Sequence, residues 1–207
     1  MKRLSFAASI ALLLFGCSSS KTASAQVAGR APANQKAPDT FRVNFDTSRG
    51  PFVVEVTREL APVGADRFYN LVRARFFDGA RFFRVVPGFV VQFGMAGDPK
   101  VNKAWDVPIQ DDPVKTPNAR GTVVFAATSR PNSRTTQLFV NLGDNGRLDE
   151  MRFAPFGKVV SGMETVDMIY SGAGERPDQG QIEEHGNQYL QKEFPDLDYI
   201  KTARIAQ

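Results

Sequence analysis

The chain has 207 residues, which fits one globular domain with a tail, and its 26 basic and 22 acidic residues leave a formal net charge of +4. These charges are scattered and form no dense basic stripe, which argues against a phosphate-tracking surface and predicts no nucleic-acid partner. The 17 phenylalanines, against 4 tyrosines and 1 tryptophan, predict a phenylalanine-rich core or apolar cleft, and the single cysteine excludes a disulfide within the chain.

The first residues have the pattern of an export signal. Met1–Arg3 is a short basic start, and Leu4–Phe15 is an apolar run too short for a resident membrane helix. Two ends of this signal are open. Gly16-Cys17 resembles a bacterial lipobox, in which the cysteine is acylated and attaches the chain to the membrane, whereas Ala23–Ala25 offers a small-x-small site for ordinary signal peptidase. We favour a lipoprotein-type signal over 1–16, because the apolar run stops there, and expect a lipid-anchored protein in the periplasm or at the envelope membrane surface.

Residues 17–40 are rich in Ser, Ala, Gln, Lys and Pro without an apolar period, which predicts a flexible tether before a folded domain over 41–207. Apolar and polar residues alternate over 41–46 and again over 52–56, a pattern typical of two strands joined by a turn. Apolar residues then recur at helical spacing over 62–76, where the initial proline suits the first turn of a helix.

Short apolar segments separated by turns and polar loops make up the rest of the chain. Two strands over 82–86 and 89–93 flank the turn pair Pro87-Gly88, and a long polar loop covers 95–120. The remaining predictions are strands over 122–127, 138–141, 156–160 and 199–205, a second helix over 163–170, and an ambiguous stretch, compatible with a short helix, over 182–194. Many short strands with two helices at separated points favour an antiparallel barrel whose ends are covered by helices.

The side chains that other enzyme classes need are missing or isolated. His185 is the only histidine and has no nucleophile motif around it, so a serine or cysteine hydrolase is not expected. No His and Cys cluster has metal-ligand spacing, and 172–174 lacks the third glycine and preceding strand of a phosphate loop. We interpret the adjacent acids Asp111-Asp112 and Glu183-Glu184 as solvated. We therefore expect neither a metal nor a cofactor.

Three segments in order carry a resemblance to a known family. Arg81–Gly94 contains the pattern aromatic-x-Arg-x-x-x-Gly-Phe-x-x-Gln-x-Gly, Gly121–Val140 combines an apolar strand with Thr-Gln-Leu-Phe-Val, and Leu148–Val159 contains Leu-Asp and Phe-Gly-Lys-Val. Together they resemble the cyclophilin type of peptidyl-prolyl cis-trans isomerase. The resemblance covers about 41–171 and implies a mainly β fold, a closed barrel of eight antiparallel strands capped by two α-helices, with the substrate in an outer groove.

The resemblance also implies roles for individual residues. Arg84 matches the catalytic arginine of the family, and Gln92 matches a glutamine that grips the peptide backbone. The substrate-binding positions implied by the same match are Phe89, Val90, Gln92, Ala127, Thr128, Gln137, Phe139, Leu148 and Phe153.

The chemistry of the reaction agrees with such a site. Rotation about an X–Pro amide breaks its conjugation against a barrier of about 18–20 kcal/mol. A protein can hold the proline ring in an apolar pocket and place a cation or donor where charge localises in the twisted amide. A guanidinium stays charged and offers several fixed donors. If the barrel interior takes Phe83 and Val85, strand alternation directs Arg84 outward into the groove.

Four positions depart from the best-known members of the family. Thr128 stands where Asn is common, which matters little for a backbone contact, and Phe153 replaces a histidine but keeps an aromatic wall. Phe93 fills a place where glycine is frequent. Arg147 replaces a tryptophan found in members that bind cyclosporin well, so an active but poorly cyclosporin-sensitive enzyme is expected.

The chain is therefore predicted to be an exported, monomeric isomerase that acts on proline-containing polypeptides and assists protein folding in the cell envelope. Two alternatives stay open. The same groove could hold a proline-containing partner without turnover, as a binding module or chaperone. A barrel that carries a small ligand inside is the weaker alternative, because the dense Phe and Val content of the inward positions favours a filled interior.

Overall fold

The computed structural model describes residues 34–206. The predicted export signal, Cys17, the alternative cleavage site at Ala23–Ala25 and most of the predicted tether lie outside these residues. The described part forms eight strands: β1 Thr40–Thr47, β2 Gly50–Thr57, β3 Arg84–Val86, β4 Val90–Phe93, β5 Thr122–Phe125, β6 Leu138–Asn141, β7 Pro155–Ser161 and β8 Ile200–Ile205. Its six α-helices are α1 Pro62–Arg73, α2 Pro99–Trp105, α3 Arg147–Glu150, α4 Met163–Asp167, α5 Gln179–His185 and α6 Asn187–Glu193. None of these helices is long and apolar enough to cross a bilayer.

The eight strands form one antiparallel sheet with the order β3-β4-β6-β5-β7-β2-β1-β8, which curls into a half-barrel. The predicted mainly β fold of eight antiparallel strands is confirmed, but the predicted closure is wrong. Within residues 34–206, the edge strands β3 and β8 form no ladder with each other. An isolated bridge between Arg81 and Tyr199 and a few neighbouring backbone hydrogen bonds join the chain beside these edges. The cause is that β3 is only three residues long and is preceded by turns and irregular chain.

Strand alternation explains the core. Phe41, Val43 and Phe45 are buried on β1 with exposed residues between them, and β2 repeats the alternation. Phe45 lies opposite Phe52 in the antiparallel register, and their rings stack with centroids 4.6 Å apart. The interior is filled largely by phenylalanine, which agrees with the composition and argues against a ligand-carrying barrel.

The two predicted helices are present as α1 and α4, and both are shorter than expected. The helix α1 ends at Arg73 because Arg75 has a φ of 57°, in the left-handed region that ends a helix, although Phe76 beyond it is still buried. Phe68 on α1 packs into the core, with its ring centroid 5.0 Å from that of Phe156. The helix α4 ends at Asp167 instead of position 170.

The helices α2 and α3 are not predicted from the sequence, whereas α5 and α6 fall largely in the stretch 182–194, which is compatible with a short helix. The helix α2 lies in the expected polar loop, where Asp98 caps it by accepting a hydrogen bond from the backbone N–H of Lys100 at 2.9 Å. The ambiguous stretch folds as α5 and α6, separated by Gly186. This residue has a φ of +56°, and a Cβ there would collide with the carbonyl oxygen of Gly97, so only glycine fits.

A second apolar cluster lies outside the barrel core and includes residues of α5 and α6. Its buried members are Phe83, Met95, Ala173, Ile182, Leu190 and Leu197. The expectation that Phe83 faces the barrel interior is therefore wrong. Phe82 does so instead, with its ring centroid 5.4 Å from that of Phe93, whereas Val85 faces the core as expected. Because residues 81–83 are not part of a strand, the alternation of β3 does not extend back to them.

The folded domain begins before residue 41. The backbone N–H of Ala37 donates to Asp66 at 2.8 Å, and the Asn70 side chain exchanges hydrogen bonds with the backbone of Gln35. Asp66 also receives two hydrogen bonds from Arg58. The part of the predicted tether nearest to β1 is therefore fastened to α1.

Candidate functional site

A groove lies on the outer face of strands β3 to β5. Along β4, Val91 and Phe93 belong to the barrel core, so the residues between and before them, Val90 and Gln92, point outward. The same alternation on β6 turns Phe139 outward. The outer face thereby carries an apolar cluster separate from the core, with Val90, Val124, Phe139 and Leu148 buried in it and Phe89, Ala126 and Phe153 packed against it.

The structure brings all ten residues of the predicted site together in this groove, which has a volume of about 540 Å³. They are Arg84, Phe89, Val90, Gln92, Ala127, Thr128, Gln137, Phe139, Leu148 and Phe153. They come from β3, β4 and β6, the helix α3 and the loops beside them. Alternation alone directs the strand residues to one face, and the α3 turn places Leu148 over them.

A row of polar side chains borders the apolar floor. Arg84 lies opposite Gln92 in the β3–β4 register, and its Nη1 donates to Gln92 Oε1 across 3.1 Å. Gln92 Nε2 donates in turn to Gln137 Oε1 at 2.9 Å. On its other side Arg84 Nε donates to Glu175 Oε1 at 2.7 Å. The guanidinium is therefore held in the groove by partners on two sides.

Aromatic rings with arginines on their faces form the walls. The ring centroid of Phe89 lies 5.7 Å from Cζ of Arg84 and 4.7 Å from Cζ of Arg147. Both distances are within the range of a cation–π contact. The ring of Phe139 packs edge-on against that of Phe153 with centroids 5.6 Å apart. Arg147 thus covers one face of Phe89.

One edge of the groove, called the backbone edge below, is formed by the main chain of residues 126–128 directly after β5. The N–H of Thr128 is occupied, because it donates to Ser133 Oγ at 3.0 Å. The N–H of Ala126 is also used, in a bond to the carbonyl of Gln137 at 2.9 Å. Within residues 34–206, neither backbone group of Ala127 has a hydrogen-bond partner. Ala127 is therefore the residue of this edge that can pair with an extended peptide.

Several residues of the groove are not predicted from the sequence. Ala126, Ser133, Thr135 and Met151 flank the predicted positions, and Asp106, Gln179 and Glu183 come from the chain after α2 and from α5. Glu183 is exposed, as expected for a solvated acid, and it also lines the groove. No local pattern marks these residues, because α5 reaches the groove only through the packing of the second apolar cluster.

Two other expectations concern single residues. Phe93, which stands where glycine is frequent in the family, is buried in the barrel core and does not line the groove. His185 lies on the surface, with Nε2 at 3.8 Å from Glu184, as expected for a solvated histidine.

The arrangement is suited to binding and polarising an amide. It combines an apolar floor with one guanidinium and two side-chain amides, which donate and accept hydrogen bonds. Among residues 34–206, no group of three or more His, Cys, Asp and Glu side chains is placed to hold a metal ion.

Comparison with known proteins agrees with this geometry. The family model of the cyclophilin type peptidyl-prolyl cis-trans isomerase/CLD matches residues 42–187. The chain is 37% identical over 132 residues to a peptidyl-prolyl cis-trans isomerase of Acinetobacter baylyi, which covers 61% of this chain and 70% of that protein. It is also 37% identical over 138 residues to peptidyl-prolyl cis-trans isomerase A of Dickeya dadantii, with coverage of 64% and 73%.

Solved structures share the fold at lower identity. A crystal structure of a cyclophilin type isomerase from Cryptosporidium parvum superposes with a TM-score of 0.62 at 19% identity, covering 81% of this chain and 98% of that one. A cyclophilin from Hirschia baltica gives a TM-score of 0.60 at 17% identity, covering 82% of this chain and 75% of that one. The sequence match, together with the fold and the groove, shows that the chain belongs to the cyclophilin family of peptidyl-prolyl cis-trans isomerase enzymes.

Proposed function

We propose that the groove catalyses cis–trans exchange of X–Pro bonds in polypeptides without a covalent step, with Arg84 as the catalytic residue. The observation that carries this proposal is the position of the Arg84 guanidinium, held by Gln92 at the border of the apolar floor. A proline-containing peptide is the matching ligand class. A structure of the Cryptosporidium parvum isomerase was determined in the presence of the dipeptide Ala-Pro.

The apolar floor and Arg84 act on different parts of the substrate. Phe139 and Leu148, both buried in the floor, hold the proline ring through apolar contacts. The free backbone groups of Ala127 pair with the substrate chain and keep one side of the peptide fixed while the other turns. As the amide twists, its conjugation is lost and charge localises on oxygen and nitrogen, where the fixed N–H donors of Arg84 stabilise it.

An isomerisation assay on a short Ala-Pro peptide tests the proposal. Exchange between the cis and trans signals is measured by NMR with the wild-type chain, Arg84→Ala and the control Arg42→Ala, which removes an exposed arginine of β1. We expect Arg84→Ala to lower kcat/KM about 100-fold, the order of loss for one transition-state donor. Equal rates for wild type and Arg84→Ala would refute the catalytic role, and retained peptide binding with no turnover in the wild type would favour a binding module.

We also propose that the protein is a monomer located in the cell envelope and attached there through a lipid on Cys17. The location and the lipid rest on the basic and apolar pattern of 1–16 and on the Gly16-Cys17 pair. Unaided X–Pro exchange takes tens to hundreds of seconds, slow enough to limit the folding of exported proteins. Mass spectrometry of the mature N-terminus distinguishes an acylated Cys17 from cleavage after Ala25, and a cytoplasmic, unprocessed chain contradicts export.

A further inference from the structure

The catalytic arginine proposed above is paired with a carboxylate from a distant part of the chain. Glu175 Oε1 lies 2.7 Å from Arg84 Nε and 2.5 Å from Arg84 Nη2. The two residues are 91 positions apart. The side chain of Glu175 is 63% exposed and that of Arg84 is 27% exposed. Exposed ion pairs contribute little to stability, so a contribution to folding does not explain this contact.

Glu175 belongs to a loop, residues 171–178, that is fastened on both sides of it. Before Glu175, the carbonyl of Gly174 accepts a hydrogen bond from the backbone N–H of Val85 at 3.2 Å. After it, Arg176 donates to the carbonyls of Ala173 at 3.2 Å and Gly172 at 2.9 Å. Ala173 is buried in the second apolar cluster. The loop is thus fixed along the outer edge of β3, where a further strand would otherwise lie. In this position it directs Glu175 toward Arg84, the residue directly before Val85.

The contacts of the guanidinium leave one edge for the substrate. Its five N–H groups lie in one plane. Nε and Nη2 face Glu175, and Nη1 donates to Gln92. One face of the group lies toward the ring of Phe89, 5.7 Å from its centroid. Nη1 and Nη2 carry two N–H groups each, so these contacts leave one N–H group on each nitrogen without a partner among residues 34–206 and available to an amide in the groove.

We propose that Glu175 is a positioning residue that fixes the guanidinium plane of Arg84 before the substrate twists. This inference rests on the proposed catalytic role of Arg84. An arginine side chain has many rotamers, and ordering it during the reaction costs conformational entropy. Glu175 and Gln92 hold it from opposite sides, so this ordering takes place when the protein folds. Glu175 therefore influences kcat and not KM, because the apolar floor and the backbone edge bind the peptide in its ground state.

The test compares Glu175→Ala, which removes the acceptor, with Glu175→Gln, which keeps an acceptor oxygen without the charge. Glu164→Ala is the control, since Glu164 is an exposed acid on α4. The readout is kcat and KM for a short Ala-Pro peptide, together with Tm. We expect Glu175→Ala to lower kcat about five- to tenfold with KM within about twofold, because misplacement of a catalytic group by a fraction of an ångström already costs rate. Glu175→Gln falls between this variant and the wild type.

A double-mutant cycle separates positioning from a structural role of the loop. In an Arg84→Lys background the guanidinium is absent, and we expect Glu175→Ala to change kcat less than twofold there. An equal loss of kcat in both backgrounds, or a rise of KM in place of a fall of kcat, overturns the inference. Unchanged kcat for both Glu175 variants, while Arg84→Ala is inactive, overturns it and leaves the role of Arg84 intact. If Arg84→Ala keeps full activity, the proposed catalytic role of Arg84 is contradicted, and the inference about Glu175 falls with it. If Glu175→Ala lowers Tm by several degrees, the kcat of Glu175→Gln is the deciding measurement. A value between those of Glu175→Ala and the wild type supports the inference, and an unchanged value overturns it.

Discussion

Arg84 and Gln92 lie directly opposite each other on β3 and β4, and the side-chain oxygen of Gln92 accepts a hydrogen bond from Arg84 Nη1. The nitrogen of the same Gln92 side chain donates to Gln137 beside β6. Both ends of the Gln92 amide are therefore used, and its orientation follows from its two partners. Through Gln92, the position of Arg84 is linked to Gln137, the residue directly before β6.

The first prediction concerns this coupling. Gln92→Ala removes the link between Arg84 and Gln137, and we expect kcat/KM for an Ala-Pro peptide to fall about tenfold because Arg84 loses one of its two partners. The NMR exchange assay measures the effect. Gln188→Ala, which truncates an exposed glutamine of α6, is the matched control and should keep full activity. An unchanged rate for Gln92→Ala would show that the coupling has no catalytic role.

The second prediction separates the groove floor from the core. Phe139 is 5% exposed and lies in the floor, whereas Phe156 is fully buried in the barrel. Truncation of a buried phenylalanine to alanine costs about 3–5 kcal/mol of unfolding free energy. We expect both Phe139→Ala and Phe156→Ala to lower stability in denaturant titrations, but only Phe139→Ala to weaken binding of a proline peptide in an NMR titration. Equal peptide affinity for the two folded variants would contradict the assignment of the floor.

The third prediction concerns Gly94, which follows β4 with a φ of +101°. A Cβ there would lie 2.5 Å from the carbonyl oxygen of Thr136 and 2.9 Å from Cα of Gln137. Gly94→Ala must therefore push this segment away from β4 and weaken the contact between Gln92 and Gln137. We expect a loss of both thermal stability and kcat/KM.

Gly88→Ala is the control for Gly94→Ala. Gly88 also has a positive φ, of +73°, but no atom lies within 4 Å of its Cβ position. We expect it to cost only the backbone strain, about 1–2 kcal/mol, with activity retained. Similar activity losses in both variants would mean that steric contact with the Gln137 segment is not the cause.

The fourth prediction rests on Asp198, a carboxylate only 6% exposed that joins the β1–β2 turn to the chain before β8. Burial by itself raises the pKa of Asp198, but hydrogen bonds from Arg49, Ser48 and the backbone N–H of Tyr170, with the charge of Arg49, outweigh it and lower the pKa below its usual value. The folded state thus favours the charged form. This contribution to stability is complete above the pKa of the unfolded chain, about 4, and is lost as the pH falls through the lower folded value.

We expect Asp198→Asn to lower the unfolding free energy at neutral pH by about 2 kcal/mol, since hydrogen bonds to a charged group are lost. Its stability should also depend less on pH on the acid side, so that its curve approaches that of the wild type once the pH falls below the lowered pKa of folded Asp198. Urea titrations between neutral and acid pH measure both effects. Asp196→Asn, at an exposed position, is the control. Parallel curves for wild type and Asp198→Asn would rule out this carboxylate as a source of the acid sensitivity.

Much of the fold could be predicted from local patterns. The alternation of β1 and β2 follows directly from their sequence, because one face of each strand is buried, and the helical spacing before Phe76 indicated α1. The helices α2, α5 and α6 were less visible because they are short, seven residues each, with few buried residues. Helices of this length are stabilised mainly by tertiary packing, which a local pattern does not report.

The sequence was sufficient to indicate the family, the outward direction of Arg84 on its strand, and an interior rich in phenylalanine. Its motifs are local, and strand geometry translates them directly into positions in space. The open edges of the half-barrel, and the contact of Glu175 in the loop before α5 with Arg84, become visible only once the chain is folded. Both depend on packing between segments far apart in the chain, where a contact is set by the whole fold and leaves no periodic pattern in either segment.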